Sequence, residues 1–140
     1  MFKDKIITSS PEETKKLGEK IAQSFYPGQV VAMFGPLGSG KTCLTQGICS
    51  GLGVKDFVVS PSFVLINEYQ GKYKVYHIDL FRLEKLSEII NLGYEEYFYG
   101  DGICIVEWAE KASALLPEKR MDIHLKILSE SEREIRIEKF

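Results

Sequence analysis

The run Gly35-Pro36-Leu37-Gly38-Ser39-Gly40-Lys41-Thr42 limits the folds open to this 140-residue chain more than any other feature. It reads G-x-x-x-x-G-K-[ST], a phosphate-binding loop (Walker A) pattern, and its context fits. The apolar stretch Gln29–Phe34 comes before it and a helical stretch from Lys41 to Leu52 follows, with Gly53 placed to stop the helix. Gly38 and Gly40 let the main chain curl closely, so that consecutive N–H groups point at a polyphosphate. The helix that follows adds unpaired N–H groups and its positive dipole end. Lys41 carries an ammonium to the β- and γ-phosphates, and the Thr42 hydroxyl can fill one corner of a Mg²⁺ shell. The expected cofactors are therefore ATP and Mg²⁺, with Leu37, Gly38, Ser39, Gly40, Lys41 and Thr42 at the phosphates.

The rest of the chain supplies a sheet for this loop. Lys5–Thr8 reads as a short strand. Ser10-Pro11-Glu12-Glu13 starts a helix: Ser10 caps, Pro11 suits the first helical position, and Glu13 completes a capping box. Leu17, Ile21, Ala22 and Phe25 carry helical spacing to about Phe25. Gln29–Phe34 and Ile103–Val106 are uninterrupted apolar runs, which suits strands covered on both faces in a parallel sheet. Val64–Tyr69 and Tyr73–Ile78 flank Gly71-Lys72 as a hairpin, and Glu84–Leu92 reads as a second helix ending at Gly93. Met121, Ile123, Leu125 and Ile127, then Ile135 and Ile137, alternate with polar residues as a closing hairpin with one solvated face. The expected fold is α/β: residues 1–140 as a single P-loop NTPase domain, with a mixed, partly parallel sheet flanked by helices.

Eighteen Lys and Arg against twenty Asp and Glu give a net charge of -2, which argues against autonomous tight binding to nucleic acid. No apolar run approaches the ~18–20 residues that span a bilayer, and the N-terminus has no signal-peptide core. The three cysteines, Cys43, Cys49 and Cys104, form no CxxC pair, and an odd count fits free thiols. The expectation is a cytoplasmic protein with no membrane association.

A P-loop enzyme needs an acid near Mg²⁺ at the end of a neighbouring strand. Asp79 ends Val75-Tyr76-His77-Ile78, and Glu107 ends Ile103-Cys104-Ile105-Val106. In an open α/β sheet the carboxyl ends of the parallel strands face the ligand. One acid could serve Mg²⁺ and the other the attacking water; spacing does not assign the roles, and a turn before a short helix is the alternative for Asp79. Trp108 can lie near the nucleotide or in the core. His77 reads by default as a structural histidine on a strand. Arg82 and Arg133 can meet phosphate, base or a partner, or remain solvated. Ser60-Pro61-Ser62-Phe63 is a hydroxyl-bearing turn that could sense a γ-phosphate.

GPLGSGKT, SPSFVLINEY, YHIDLFRL and IVEWAE occur in that order and at close spacing, together with SSPEETKKLGEKIA and LPEK. This ordered set resembles the TsaE family, also called YjeE, over nearly the whole chain. The resemblance implies a Mg²⁺-dependent ATPase, weak alone and activated by partners, in threonylcarbamoyladenosine formation on tRNA. It implies that Lys41 and the 37–42 loop bind the phosphates, that Thr42 and Glu107 hold Mg²⁺ and that Asp79 supports hydrolysis. It also implies that Trp108 lies close to the site, that Ser10 lies near base or ribose, and that Arg133 matches a late family arginine. The implied partners are the TsaD and TsaB proteins, with tRNA reached through their complex. Two departures stand out. Ser62 replaces a threonine, keeping the hydroxyl, and Phe81 replaces a tyrosine, losing one.

A small-molecule or nucleoside kinase is the alternative reading. Against it, the chain has only four arginines, Arg82, Arg120, Arg133 and Arg136, with no Arg-rich lid to exclude water. No N-K-x-D guanine-reading motif is present.

Overall fold

The computed structural model describes residues 2–56, 58 and 66–140. Along the chain these form β1 (Phe2–Thr8), α1 (Pro11–Ala22), β2 (Val30–Phe34), α2 (Lys41–Gly51), β3 (Ile66–Gln70), β4 (Lys74–Asp79), α3 (Leu86–Asn91), α4 (Glu95–Phe98), β5 (Ile103–Glu107), a 3-10 turn (Ala109–Ala112), β6 (Met121–Ile127) and β7 (Arg133–Lys139). The seven strands make one sheet in the order β1-β7-β6-β2-β5-β4-β3. β6, β2, β5 and β4 run parallel; β3 joins one edge antiparallel, and β7 and β1 extend the other. The α/β class and mixed sheet are as expected.

The continuous apolar runs sit where a strand is covered on both faces. Val30, Val31, Ala32 and Met33 on β2 are at most 1% exposed. Val31 and Met33 meet α1 and α2 through Leu17, Ile21, Leu44 and Ile48. Val30 and Ala32 face the other way, toward Leu80, Ile89, Phe98 and Ala109. Burying a side chain such as Leu44 or Ile48 contributes about 1.5–3 kcal/mol. α1 and α2 approach each other over glycine: a Cβ on Gly47 would lie 2.1 Å from the Lys15 carbonyl oxygen. Any side chain there would force the helix pair apart.

Several boundaries differ from the sequence reading, each for a local reason. α1 ends at Ala22, not near Phe25. The N–H groups of Ser24 and Phe25 turn to the carbonyls of Ile21 and Ala22, and Phe25 is buried beyond the helix. At its start Ser10 Oγ accepts the Glu13 N–H at 3.1 Å, while Glu13 Oε1 accepts from Ser9 rather than closing the box on Ser10. α3 is shorter than expected because Glu88 Oε1 accepts from the N–H groups of both Glu84 and Lys85, which fixes the start at Leu86. α4 and the 3-10 turn carry no clear sequence period, being only four residues each. β1 begins at Phe2 because β7 runs the full length beside it. β6 and β7 pair antiparallel as the expected hairpin, but β6 does not keep a solvated face along its first half. It lies inside the sheet, parallel to β2 on one side, so Met121, Asp122 and Ile123 are all buried. Asp122 is accommodated by Arg120, whose Nε donates to Oδ1 at 2.8 Å. Among the described residues no helix is long and apolar enough to cross a membrane.

Candidate functional site

β2 has β5 on one side and β6 on the other, so the strand order turns back on either side of its carboxyl end, where an open α/β sheet forms its crevice. The loop from Gly35 to Gly40 covers that end. Gly35, Gly38 and Gly40 have φ of +154°, +80° and +101°. Gly35 is also sterically confined: a Cβ there would lie 2.7 Å from both the Leu125 carbonyl oxygen and Ser39 Oγ. At Gly38 nothing lies within 4 Å of that position. Gly40 is the N-cap of α2 and makes no side-chain capping bond. Among the described residues no side chain therefore caps the N–H groups of the opening turn.

Lys41 folds back over the loop. Its Nζ donates to the Gly35 carbonyl at 2.5 Å and to the Pro36 carbonyl at 3.0 Å, and lies 4.1 Å from the centre of a Trp108 ring. Burial pushes this ammonium below its usual 10.5, opposed by the attraction of Glu107, Glu110 and Asp79. Trp108 is held for the contact in the left-handed region, at φ 58° and ψ 42°. It is the only non-glycine residue at positive φ among the described residues, at a cost of about 1–3 kcal/mol. Phe81 packs against it with ring centroids 4.9 Å apart. Lys111 Nζ donates to the Phe81 and Leu83 carbonyls, tying the exit of β4 to the 3-10 turn.

The two carboxylates arrive side by side because β4 and β5 are parallel with Asp79 and Glu107 in register. Both are nearly buried, at 5% and 3% exposure. Asp79 makes the turn expected of it: its Oδ1 accepts the Phe81 N–H at 2.9 Å. It also lines the same cleft as Lys41, so turn and site coexist. Glu107 Oε1 lies 3.5 Å from Thr42 Oγ1, and its Oε2 is hydrogen-bonded to His77 Nε2. Thr42 and Glu107 thus place two hard oxygens together at the head of α2, a donor pair suited to a magnesium ion.

These residues open on a cleft of about 490 Å³ lined by Leu37, Gly38, Gly40, Lys41, Thr42, Asp79, Glu107 and Trp108. Leu37 stands 76% exposed at the tip of the loop. A second hollow of about 220 Å³ shares Gly38 and Gly40 with the first and is lined by Ser10 and Arg133. Ser10 and Arg133 therefore sit beyond the loop from the two carboxylates. Arg133 is fastened rather than free: Nη2 donates to the Gly38 carbonyl at 3.2 Å, and Nη1 to the Ser129, Glu130 and Glu132 carbonyls. It pins the β6–β7 turn to the phosphate-loop backbone. Ser39 is fully buried behind the loop; its N–H donates to the Pro36 carbonyl, and its Oγ has no partner among the described residues. The Ser60–Phe63 turn, including Ser62, lies outside the described residues.

His77 corrects the default reading of a satisfied structural histidine. Among the described residues only its Nε2 is bonded, and the partner is Glu107. Two positions before Asp79 on one strand, it shares that residue's face of the sheet, which was the available signal. Arg82 lines the cleft, as do Phe81, singled out in the sequence only for its lost hydroxyl, and Cys43, read there only as a free thiol.

A family model described as "Threonylcarbamoyl adenosine biosynthesis protein TsaE" matches residues 8–135. A Bacillus subtilis (strain 168) protein named tRNA threonylcarbamoyladenosine biosynthesis protein TsaE is 44% identical over 129 residues, covering 91% of this chain and 80% of the relative. The protein of that name from Treponema pallidum (strain Nichols) is 35% identical over 131 residues, covering 94% of this chain and 97% of its own. A crystal structure of Bacillus subtilis YdiB superposes with a TM-score of 0.84 at 37% identity, covering 97% of this chain and 84% of that one.

Proposed function

Because the chain belongs to the TsaE family of tRNA threonylcarbamoyladenosine biosynthesis proteins, we propose that it binds ATP with Mg²⁺, hydrolyses it slowly alone, and so supports the TsaD and TsaB proteins through repeated rounds of that tRNA modification. The observation that carries this reading is the meeting of three things at the carboxyl end of β2. These are an α2 N-terminus without a side-chain cap, the Lys41 ammonium, and the Thr42–Glu107 oxygen pair. The residues fit the group. Gly38 leaves open space where a side chain would stand, and the glycine-lined loop separates the carboxylate cleft from the Ser10 hollow.

When bound, magnesium ATP supplies the phosphoanhydride bond and a polarised γ-phosphoryl group. The chain's own residues do the rest. Main-chain N–H groups at the head of α2 hold the phosphates. Lys41, now on the Gly35 and Pro36 carbonyls, would hold the phosphate oxygens with its ammonium. Thr42 and Glu107 hold the ion. Asp79, beside Glu107 in register, orients the attacking water. Ser10 and Arg133 border the base and ribose side. Fast turnover requires further groups to neutralise charge and fix the water; we assign these to the TsaD–TsaB partners, with tRNA reached through them.

The test is titration of the protein with ATP and GTP, with and without Mg²⁺, followed by reconstitution with TsaD, TsaB and tRNA using wild type and Lys41→Ala. Loss of tight ATP binding and of multiple-turnover modification in a folded Lys41→Ala variant is the expected result. Unchanged ATP affinity in that variant overturns the binding site. Stoichiometric phosphorylation of a nucleoside or sugar by the wild type would instead establish a kinase.

A further inference from the structure

His77 is fully buried on β4, yet among the described residues only one of its ring nitrogens is bonded. Nε2 is bonded to Glu107 Oε2, and Nδ1 has no partner among the described residues. Its neighbours on the adjoining strands do not supply one. Ile105 pairs with it on β5, and Asn67, opposite on β3, donates its amide to Tyr69 Oη instead. A buried polar atom without a partner costs about 1–3 kcal/mol. An apolar side chain of similar volume would fill the same space without that cost, so filling the core does not explain a histidine here. Its single bond is specific. It goes to the carboxylate whose other oxygen faces Thr42 Oγ1 at 3.5 Å.

We propose that His77 is a positioning residue that, by holding Glu107 Oε2, turns Oε1 toward Thr42 and the magnesium site. A glutamate carboxylate rotates freely about its last bond. Tying one oxygen from behind leaves the other to face the ion and removes the rotational freedom otherwise lost on binding. Side chains that orient a metal ligand in this way commonly contribute about 10–100-fold in metal affinity or activity. The inference rests on the magnesium-nucleotide reading above.

The experiment measures binding of a non-hydrolysable ATP analogue by calorimetry, first in EDTA and then across a Mg²⁺ series. It uses wild type, His77→Leu, His77→Gln and His77→Asn, with thermal unfolding of each. In His77→Leu, analogue binding in EDTA is expected to match wild type, while the Mg²⁺ concentration for half-maximal enhancement rises about tenfold or more. His77→Gln, whose amide nitrogen reaches about as far as imidazole Nε2, restores the wild-type Mg²⁺ dependence; His77→Asn, whose amide stops short, does not. A folded leucine variant with wild-type Mg²⁺ dependence overturns the proposal. If that variant fails to fold, the other two decide: equal Mg²⁺ dependence in the glutamine and asparagine variants overturns it. A wild-type protein that binds no analogue under either condition removes the underlying reading itself, a result distinct from a wild type that binds and variants that match it.

Discussion

The two walls of the cleft are built from opposite materials. The phosphate-loop wall is main chain, Gly35 to Thr42 in one unbroken run, and its shape depends on side chains being absent. The facing wall is side chain: Asp79 and Glu107 are delivered by two parallel strands, with His77 buried behind Glu107 and thirty residues from it in sequence. The first wall tolerates no added carbon where its backbone turns against β6. The second has a backbone of ordinary strand geometry and depends on which atoms its side chains present. Strain is therefore the way to break the first wall, and lost donors and acceptors the way to break the second.

The largest effect expected on either wall comes from Gly35→Ala. The new Cβ meets the Leu125 carbonyl and Ser39 Oγ at 2.7 Å, in a backbone conformation at φ +154° that side chains rarely adopt. Strain of about 1–3 kcal/mol and overpacking of similar size add to a loss of roughly 3 kcal/mol or more. Urea denaturation should show the midpoint falling without a change in slope. A midpoint within error of wild type would mean that the loop relaxes freely and that the contrast between the walls is overstated.

On the second wall the acids should separate by readout. Asp79→Asn is expected to slow hydrolysis by about 100-fold, the lower range for a positioned group acting on a proton or water. ATP binding stays within a few-fold. Glu107→Gln keeps the shape but weakens the ion contact, so the Mg²⁺ requirement rises about tenfold while binding in EDTA is retained. Measuring single-turnover rates and Mg²⁺-dependent affinity on the same two variants checks both. If each variant fails in both readouts equally, the two carboxylates act as one unit and the division of roles collapses.

What could be read from the sequence follows the same division. The phosphate loop was legible because its chemistry is consecutive: Gly38, Gly40, Lys41 and Thr42 are fixed by local backbone geometry and by the strand and helix on either side. The acids were legible as strand ends, but their adjacency depends on the parallel register of β4 with β5, which no local pattern encodes. His77 was passed over for the same reason, since its bond to Glu107 crosses that register. Ser10 and Arg133 were named, yet only the tertiary fold shows that they border a hollow beyond the loop. In the fold, the long apolar runs identified β2 and β5. The start of α3 was set by the local Glu88 bonds, the two four-residue helical turns were too short to carry a period, and the interior place of β6 was set by its pairing with β2.

Lys41 spans both walls, and its pH dependence sharpens the comparison. Burial lowers its pKa from 10.5, against the pull of Glu107, Glu110 and Asp79. The charged form is thus less favoured in the folded than in the unfolded chain. Between the lowered value and 10.5 the unfolded chain binds more protons, so this lysine's contribution to stability rises with pH in that window. Phosphate binding needs the ammonium, so ATP affinity should fall as pH climbs through the same window. A charged hydrogen bond contributes about 1.5–3 kcal/mol, which predicts roughly a 10–150-fold loss of affinity in Lys41→Ala and no further loss from deprotonation at this position. Parallel ATP titrations of both proteins across alkaline pH, with Tm followed alongside, test this. An equal decline in wild type and variant would place the titrating group elsewhere.

The smallest effect should come from Gly38→Ala, the mildest insult to the main-chain wall. Its φ is +80°, but nothing lies within 4 Å of the added carbon. Left-handed backbone costs a non-glycine residue roughly 1–2 kcal/mol, and no clash adds to it. Stability should therefore fall by about 1 kcal/mol, well short of Gly35→Ala, because only the conformational part of the penalty remains. Binding is the sharper readout. The alanine methyl enters the space at the open side of the loop that the phosphate reading assigns to the ligand. ATP affinity should consequently drop by more than the stability change alone suggests, with affinity for adenosine unaffected. Equal weakening of ATP and adenosine would mean that the methyl disturbs the whole cleft and not the phosphate space, and the loop would then owe its glycine at this position to backbone conformation alone.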